Sequence, residues 1–170
     1  MKQELDEKLV KDFPNLYIDR YADMRGTAMC WGFPGDGWEP LIRELSEKLE
    51  KEIVELKQKH PDMEYPPRAS QVKEKYGTLR YYMSSQTDSM SENINEACKK
   101  SWVTCEDCGQ PGKLRNMGGW YYTRCDKCWE ELKKSFGYKE PSWLAKAWDE
   151  VIYWTVDEFW GRIKRLWNKH

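Results

Sequence analysis

Two Cys-x-x-Cys pairs constrain the fold of this chain more than any other feature of its sequence. Sixteen residues separate the pair Cys105/Cys108 from the pair Cys125/Cys128. A gap of two residues lets both sulfurs of a tight turn face one point, and two such turns complete a tetrahedron around a metal ion with bonds of about 2.3 Å. We therefore predict that these four cysteines bind one ion, Zn2+. Iron, bound alone or in an iron–sulfur centre by the same four sulfurs, is the alternative.

The setting of these cysteines favours metal-binding thiolates over disulfides. Residues 1–13 carry charges throughout and lack the apolar stretch of a secretory signal. No apolar run approaches the roughly 20 residues that span a bilayer. We therefore expect a cytoplasmic chain without a membrane span, in which cysteines stay reduced. The two remaining cysteines, Cys30 and Cys98, are expected to be small buried hydrophobic residues.

The residues around the cysteine pairs predict a treble-clef zinc module. Residues 113–117 and 119–124 are interpreted as two strands joined through Gly118-Gly119, and residues 129–136 as a helix. A cysteine turn, a hairpin and a second cysteine pair that opens a helix occur in the order of a treble clef. Four thiolates leave no open position on zinc, so the ion is predicted to be structural and to stabilise a module with little core of its own.

Helical spacing of apolar residues occurs three times before the cysteine module, in residues 5–13, 41–56 and 94–102. Asp36 and Glu39 fit a capping box at the start of the second helix. Short strands are predicted at residues 27–31 and, on either side of a turn or bulge at Gly77, at residues 71–83.

These elements predict an α+β fold with a small antiparallel sheet packed against helices and an inserted four-cysteine module. From Pro141 onward, a Trp-rich apolar stripe at helical spacing predicts a long amphipathic C-terminal helix. We expect a body at residues 1–102, the zinc module at 103–136 and a helical segment at 137–170 that packs on the body to give one compact unit. Binding of the last helix to a membrane surface or a partner is the alternative.

Three clusters of aromatic and charged residues are candidate binding surfaces. The glycine-rich turn at residues 32–38 either binds an anion at a helix start or permits a tight turn that Asp36 caps. Cations alternate with aromatic residues at 71–82 and again in the cysteine module, a pattern that suits stacking on bases and contact with phosphates, or an ordinary exposed sheet face. The candidate binding residues are Trp31, Asp36, Trp38, Lys75, Arg80, Tyr82, Arg115, Trp120 and Arg124.

The chain offers few groups for catalysis. It has two histidines, His60 before a proline and His170 at the end of the sequence, and neither pairs with a predicted buried carboxylate. A zinc ion closed by four thiolates does not activate water. We therefore predict no catalytic residues. An enzyme would have to use carboxylates such as Asp36.

Several motifs occur in a fixed order along the chain. They are Trp-Gly-Phe-Pro-Gly-Asp-Gly-Trp at 31–38, Gln-Val-Lys-Glu-Lys-Tyr-Gly-Thr-Leu-Arg-Tyr at 71–81, Thr-Cys-x-x-Cys-Gly-x-Pro-Gly at 104–112, and Gly-Trp with Thr-x-Cys at 119–125. Together they resemble a group of small phage and prophage proteins with zinc-ribbon or treble-clef features, over roughly residues 13–130. Many members of that group have His where this chain has Cys128, and either residue binds zinc. The resemblance implies a phage setting rather than a mechanism.

Composition favours a folded protein that acts by binding. Twenty-four aromatic residues, ten of them Trp, argue against disorder despite a charged fraction of 34%. Trp and Tyr are preferred anchors at protein interfaces, whereas a net charge of −1 does not favour a general polyanion binder. We predict a non-enzymatic, zinc-stabilised binding protein of phage type that contacts a host protein, in host takeover or anti-defence.

Two alternatives remain for this function. The first is sequestration of a small nucleotide signal by Trp31, Trp38, Lys75, Arg80 and Tyr82. The second is nucleic-acid binding through the zinc module, with the residues Lys113, Arg115, Trp120 and Arg124.

Overall fold

The α+β class is confirmed by a computed structural model that describes residues 1–138. The described residues form four α-helices and two separate two-stranded antiparallel sheets. In chain order the elements are α1 (Gln3–Asp12), α2 (Glu39–Lys59), β1 (Ala69–Lys75), β2 (Thr78–Met83), α3 (Asp88–Ser101), β3 (Lys113–Met117), β4 (Trp120–Arg124) and α4 (Asp126–Ser135). The long helix predicted from Pro141 onward lies outside the described residues.

The predicted helix at 41–56 is confirmed as α2, but its predicted capping box is wrong. The N-cap residue of α2 is Trp38, and it makes no side-chain capping hydrogen bond. Asp36 lies two residues before Trp38, in a short 3-10 helix. Its carboxylate accepts a hydrogen bond of 2.6 Å from the backbone N–H of Lys2. A long-range partner at the N-terminus of the chain therefore replaces the local cap.

The predicted strand at 27–31 is also wrong, because Met29–Trp31 forms a 3-10 helix. The Thr27 hydroxyl oxygen accepts a hydrogen bond of 3.1 Å from the Met29 N–H. Side chains of this kind offer the backbone a local alternative to sheet pairing.

Both predicted hairpins are confirmed, and both turn on two residues with positive φ. Tyr76 (φ 55°) and Gly77 (φ 74°) join β1 to β2, and Gly118 (φ 60°) and Gly119 (φ 89°) join β3 to β4. Such turns match the right-handed twist of the flanking strands and favour glycine. Tyr76 takes the same conformation without being a glycine.

The core lies where one face of β1–β2 meets α1, α2 and α3. Fully buried members are Leu9, Leu16, Tyr17, Met29, Trp38, Ile42, Leu49, Ile53, Leu79 and Met90. A chain of hydroxyls crosses this core: Tyr81 donates to Tyr17 at 3.0 Å, Tyr17 bonds Ser46 at 2.6 Å, and Ser46 donates to the Ile42 carbonyl at 2.6 Å. Each buried hydroxyl thereby has a partner.

The four cysteines and the β3–β4 hairpin belong to the same compact unit as the core. That unit comprises Met1–Glu131, and a second unit begins at Leu132. None of the described helices combines the length and apolar composition that a bilayer-spanning segment requires.

Candidate metal centre

The two cysteine pairs converge as the sequence predicts. The Sγ atoms of Cys105, Cys108, Cys125 and Cys128 all lie within 4.8 Å of one another, and those of Cys108 and Cys125 are 3.6 Å apart. All four are free thiols. Four sulfurs about 2.3 Å from a central zinc ion would stand about 3.8 Å apart, so the cluster fits a tetrahedral ion with little adjustment. The group can therefore hold a metal ion.

The first cysteine pair lies in a turn that the backbone holds closed. The Gly109 N–H donates to the Cys105 carbonyl at 2.9 Å, and the Cys105 N–H donates to the Gln110 carbonyl at 2.8 Å. Gly109 has a φ of 73°, which L side chains rarely adopt. Cys105 is fully buried and Cys108 is exposed, so the cluster lies at the protein surface with one side in the interior.

The second pair opens α4, where backbone amides favour a thiolate. The Cys128 N–H donates to the Cys125 Sγ at 3.4 Å, and this bond lowers the pKa of the Cys125 thiol to about 7. Burial raises the pKa of the Cys128 thiol, which releases its proton when a cation binds. The thiolate is the form that binds a metal ion.

The glycine-rich turn packs directly on the first cysteine turn. The Gly37 N–H donates to the Glu106 carbonyl at 2.7 Å, and the Trp38 Nε1–H donates to the Thr104 carbonyl at 2.8 Å. A Cβ on Gly37 would stand 2.5 Å from the Cys108 amide nitrogen and would also collide with the Cys105 carbonyl oxygen. Only glycine permits this approach of two backbones.

Gly35, two residues before Gly37, also lies close to the first cysteine turn. Its N–H donates to the Glu106 carboxylate at 3.2 Å, and a Cβ at this position would collide with the Glu106 carbonyl. Burial raises the pKa of Glu106, although the Gly35 N–H acts in the opposite direction. Sequence reasoning missed this contact because the two segments are some seventy residues apart and no local pattern pairs them.

The tip of the β1–β2 hairpin packs on the module as well. The Thr123 hydroxyl donates to the Gly77 carbonyl at 2.6 Å in the interior, and a Cβ on Gly77 would stand 2.6 Å from Leu114 Cδ1. Tyr76 and Tyr121 meet edge to face with ring centroids 6.4 Å apart. The two motifs outside the module, at 31–38 and 71–81, thus both contain glycines that contact it.

Two of the candidate binding residues are engaged within the fold. Trp38 is fully buried and its indole N–H is bonded to Thr104, so it belongs to the core rather than to a binding surface. The Asp36 carboxylate forms an ion pair with Lys2 at 3.3 Å. By contrast, Trp31 and Trp120 each expose 73% of their surface.

The arginines of the cysteine module are also paired. Arg115 forms an ion pair with Asp126, and Arg124 forms one with Asp107. Arg124 also lies over the Tyr122 ring, 5.4 Å from its centroid. Their side chains are only 15% and 14% exposed. These guanidinium groups therefore stabilise the module instead of facing solvent.

The remaining candidates, Lys75, Arg80 and Tyr82, lie together on the outer face of β1–β2. Lys75 pairs with Thr78 across the hairpin, and Arg80 pairs with Lys73. Tyr82 lies opposite Gln71 and exposes 44% of its surface. This face is the one place where the structure brings several predicted binding residues together.

Fold and cluster together define a class: a small α+β protein with a four-cysteine cluster that can hold a metal ion. Comparison of the chain with protein-family models, with curated proteins and with solved structures finds no match.

Proposed function

We propose that this chain is a non-enzymatic, zinc-stabilised binding protein of phage type, which acts in the host cytoplasm by contact with a host protein. Host takeover or anti-defence is the expected outcome. The observation that carries the zinc-stabilised part of the proposal is the backbone packing of Gly35 and Gly37 on the Cys105–Gly109 turn. A metal ion at this position braces the body of the protein, which is a structural use of the ion.

Zinc is the ion that the donor set favours. Four thiolates suit its tetrahedral preference and leave no position for water or substrate. The order of cysteine turn, β3–β4 hairpin and α4 supports a treble-clef arrangement.

The phage setting is supported by the resemblance of the motifs at 31–38, 71–81 and 104–112 to those of small phage and prophage proteins.

Trp31 and Trp120 are the proposed anchors for the partner. Both residues expose 73% of their surface, so folding gains little from burying their apolar side chains. Trp is enriched among the residues that dominate the energy of protein interfaces, because it brings a large rigid surface and one hydrogen-bond donor. Trp120 lies beside the two-glycine turn of β3–β4.

The test is capture of partners from host lysate with the tagged protein, followed by titration of the purified partner. The variants Trp31→Ala and Trp120→Ala are compared with Tyr65→Ala, a matched control at a similarly exposed aromatic residue. We expect wild type and control to bind one partner saturably, and each Trp variant to lose at least about ten-fold in affinity. Absence of any saturable partner would contradict the proposal.

The small-nucleotide alternative is weakened by the burial of Trp38, which removes one of its five proposed contacts. Nucleic-acid binding through the zinc module is weakened by the ion pairs of Arg115 and Arg124. Native mass spectrometry of protein purified from producing cells tests the first alternative, because a retained nucleotide would add a discrete mass.

A further inference from the structure

The outer face of the β1–β2 hairpin is strongly basic. Side chains alternate between the two faces of a strand, and directly paired residues share a face. The inner face carries the buried residues Val72, Leu79 and Tyr81. The outer face therefore carries Gln71, Lys73 and Lys75 from β1, with Thr78, Arg80 and Tyr82 from β2. We call these six residues the outer face; they include three cations and no carboxylate.

Within residues 1–138, Arg80 differs from the other arginines in having no carboxylate partner. Among the described residues, every other arginine forms an ion pair with a carboxylate; these are Arg20, Arg25, Arg43, Arg68, Arg115 and Arg124. Arg80 instead donates to the Thr78 hydroxyl at 2.6 Å and to a backbone carbonyl. Its charge is left without a counterion in the described part of the chain.

The pairing of the strands places two of these charges directly opposite each other. Lys73 is the cross-strand neighbour of Arg80. Like charges in this position destabilise a hairpin. Since the fold gains nothing from this repulsion, a polyanion whose phosphates neutralise both side chains offers a physical reason for it.

Exposed aromatic rings accompany the cations. The Lys73 ammonium lies 5.5 Å from the centroid of the Tyr82 ring, and the Lys75 ammonium lies 5.3 Å from that of Tyr76. The two rings expose 44% and 65% of their residues' surface. Sequence-independent binding of single-stranded nucleic acid combines two features: cations along the path of the phosphate backbone, and aromatic rings on which the bases stack.

We propose that the outer face binds single-stranded nucleic acid. Lys73, Lys75 and Arg80 contact successive phosphates, and the rings of Tyr82 and Tyr76 stack on bases. A two-stranded ribbon whose outer-face residues are all half-buried or exposed suits an extended polymer better than a single nucleotide. This activity goes beyond the proposed contact with a host protein, since it uses neither Trp31 nor Trp120.

The test uses fluorescence anisotropy with a labelled oligodeoxythymidylate of about 16 nucleotides, long enough for a small binding face. Three phosphate contacts give a slope of about −2 in the logarithm of affinity against the logarithm of salt concentration. The variant K73Q/R80Q removes two cations and is expected to reduce the slope to about −0.7. The control K51Q/K59Q removes the same charge from two exposed lysines of α2 and should leave the slope unchanged.

Tyr82→Ala separates stacking from charge. We expect it to weaken binding about five-fold or more at constant salt, whereas Tyr65→Ala should have no effect. Metal content and near-ultraviolet circular dichroism confirm that each variant is folded. Absence of binding, or binding that salt does not weaken, would overturn the proposal. Equal affinity for poly-glutamate with no effect of Tyr82→Ala would also overturn it, and would assign the face to an acidic protein instead.

Discussion

Gly37 shows how a single residue links the four-cysteine cluster to the rest of the fold. Its φ is not in the left-handed region, so conformational freedom does not explain the glycine. Instead, its Cα lies against the backbone of Cys105, Cys108 and Gly109. The residue is required for close approach, and the approach positions two of the four thiols.

Substitution of Gly37 by alanine adds one methyl group and therefore tests how closely the 35–38 segment must pack on the first cysteine turn. The added Cβ must push the turn away from the 35–38 segment, and overpacking of this kind costs about 1–3 kcal/mol. We expect Gly37→Ala to lower the free energy of unfolding by this amount in urea denaturation and to weaken metal retention against a chelator. Gly26→Ala is the matched control, because a Cβ there would meet only the Asp23 carbonyl oxygen at an ordinary 3.6 Å. Equal stability of the two variants would contradict the packing argument.

At the scale of elements, the sequence patterns predicted the helices and hairpins that depend on contacts between residues close together in the chain. The helix at 41–56 follows from its apolar spacing, and the two hairpins follow from their glycine turns. The convergence of the four cysteines follows from their spacing alone. The errors occurred at Asp36 and Thr27, whose side chains can bond either nearby or distant backbone, so that tertiary structure decides between the two.

The role of Gly77 could not be predicted for the same reason. The sequence identified a turn at this residue, but the turn packs on a second hairpin that begins some forty residues later. Contacts between separate hairpins leave no periodic signal in the sequence. The Thr123 hydroxyl, which is buried and bonds the Gly77 carbonyl, is the polar part of this contact.

Thr123→Val tests the contact between the hairpins. Valine keeps the shape of threonine but leaves the Gly77 carbonyl without its hydrogen bond, and an unsatisfied buried group costs about 1–3 kcal/mol. We expect a loss of stability in this range, together with faster amide hydrogen exchange at Thr78 and Leu114. Thr123→Ser retains the hydroxyl and should recover most of the hydrogen-exchange protection. A Val variant as stable as wild type would show that the hydroxyl contributes little.

The whole molecule should lose stability in alkali because two core tyrosines resist ionisation. Burial raises the pKa of Tyr17 and of Tyr81 well above the usual value. In the unfolded chain both ionise near pH 10, so their contribution to stability is complete below that pH and is lost as the pH rises above it. We expect the free energy of unfolding to fall by up to about 1.4 kcal/mol per pH unit for each tyrosine.

Urea denaturation between neutral pH and pH 11 measures this slope. The double variant Y17F/Y81F removes both ionisable groups and should flatten the alkaline decline, although it lowers stability at neutral pH through loss of the hydroxyl chain. Tyr65→Phe, at an exposed site, should leave the decline as in wild type. A decline that is the same in all three proteins would assign it to other groups.

Removal of the metal ion should affect the molecule as a whole, because the Cys105–Gly109 turn supports the 35–38 segment, which leads into α2. A ligand at a thousand times its dissociation constant stabilises the folded state by about 4 kcal/mol. For a chain of this length that corresponds to a shift in Tm of about 8–16 °C. We expect purified protein to contain one zinc ion per chain by elemental analysis, and chelator to lower the Tm by an amount in this range.

Cys105→Ser should abolish metal retention, whereas Cys30→Ser, outside the cluster, should retain it. Visible thiolate-to-iron absorbance would identify iron instead, and a Tm that chelator leaves unchanged would show that the ion does not brace the fold.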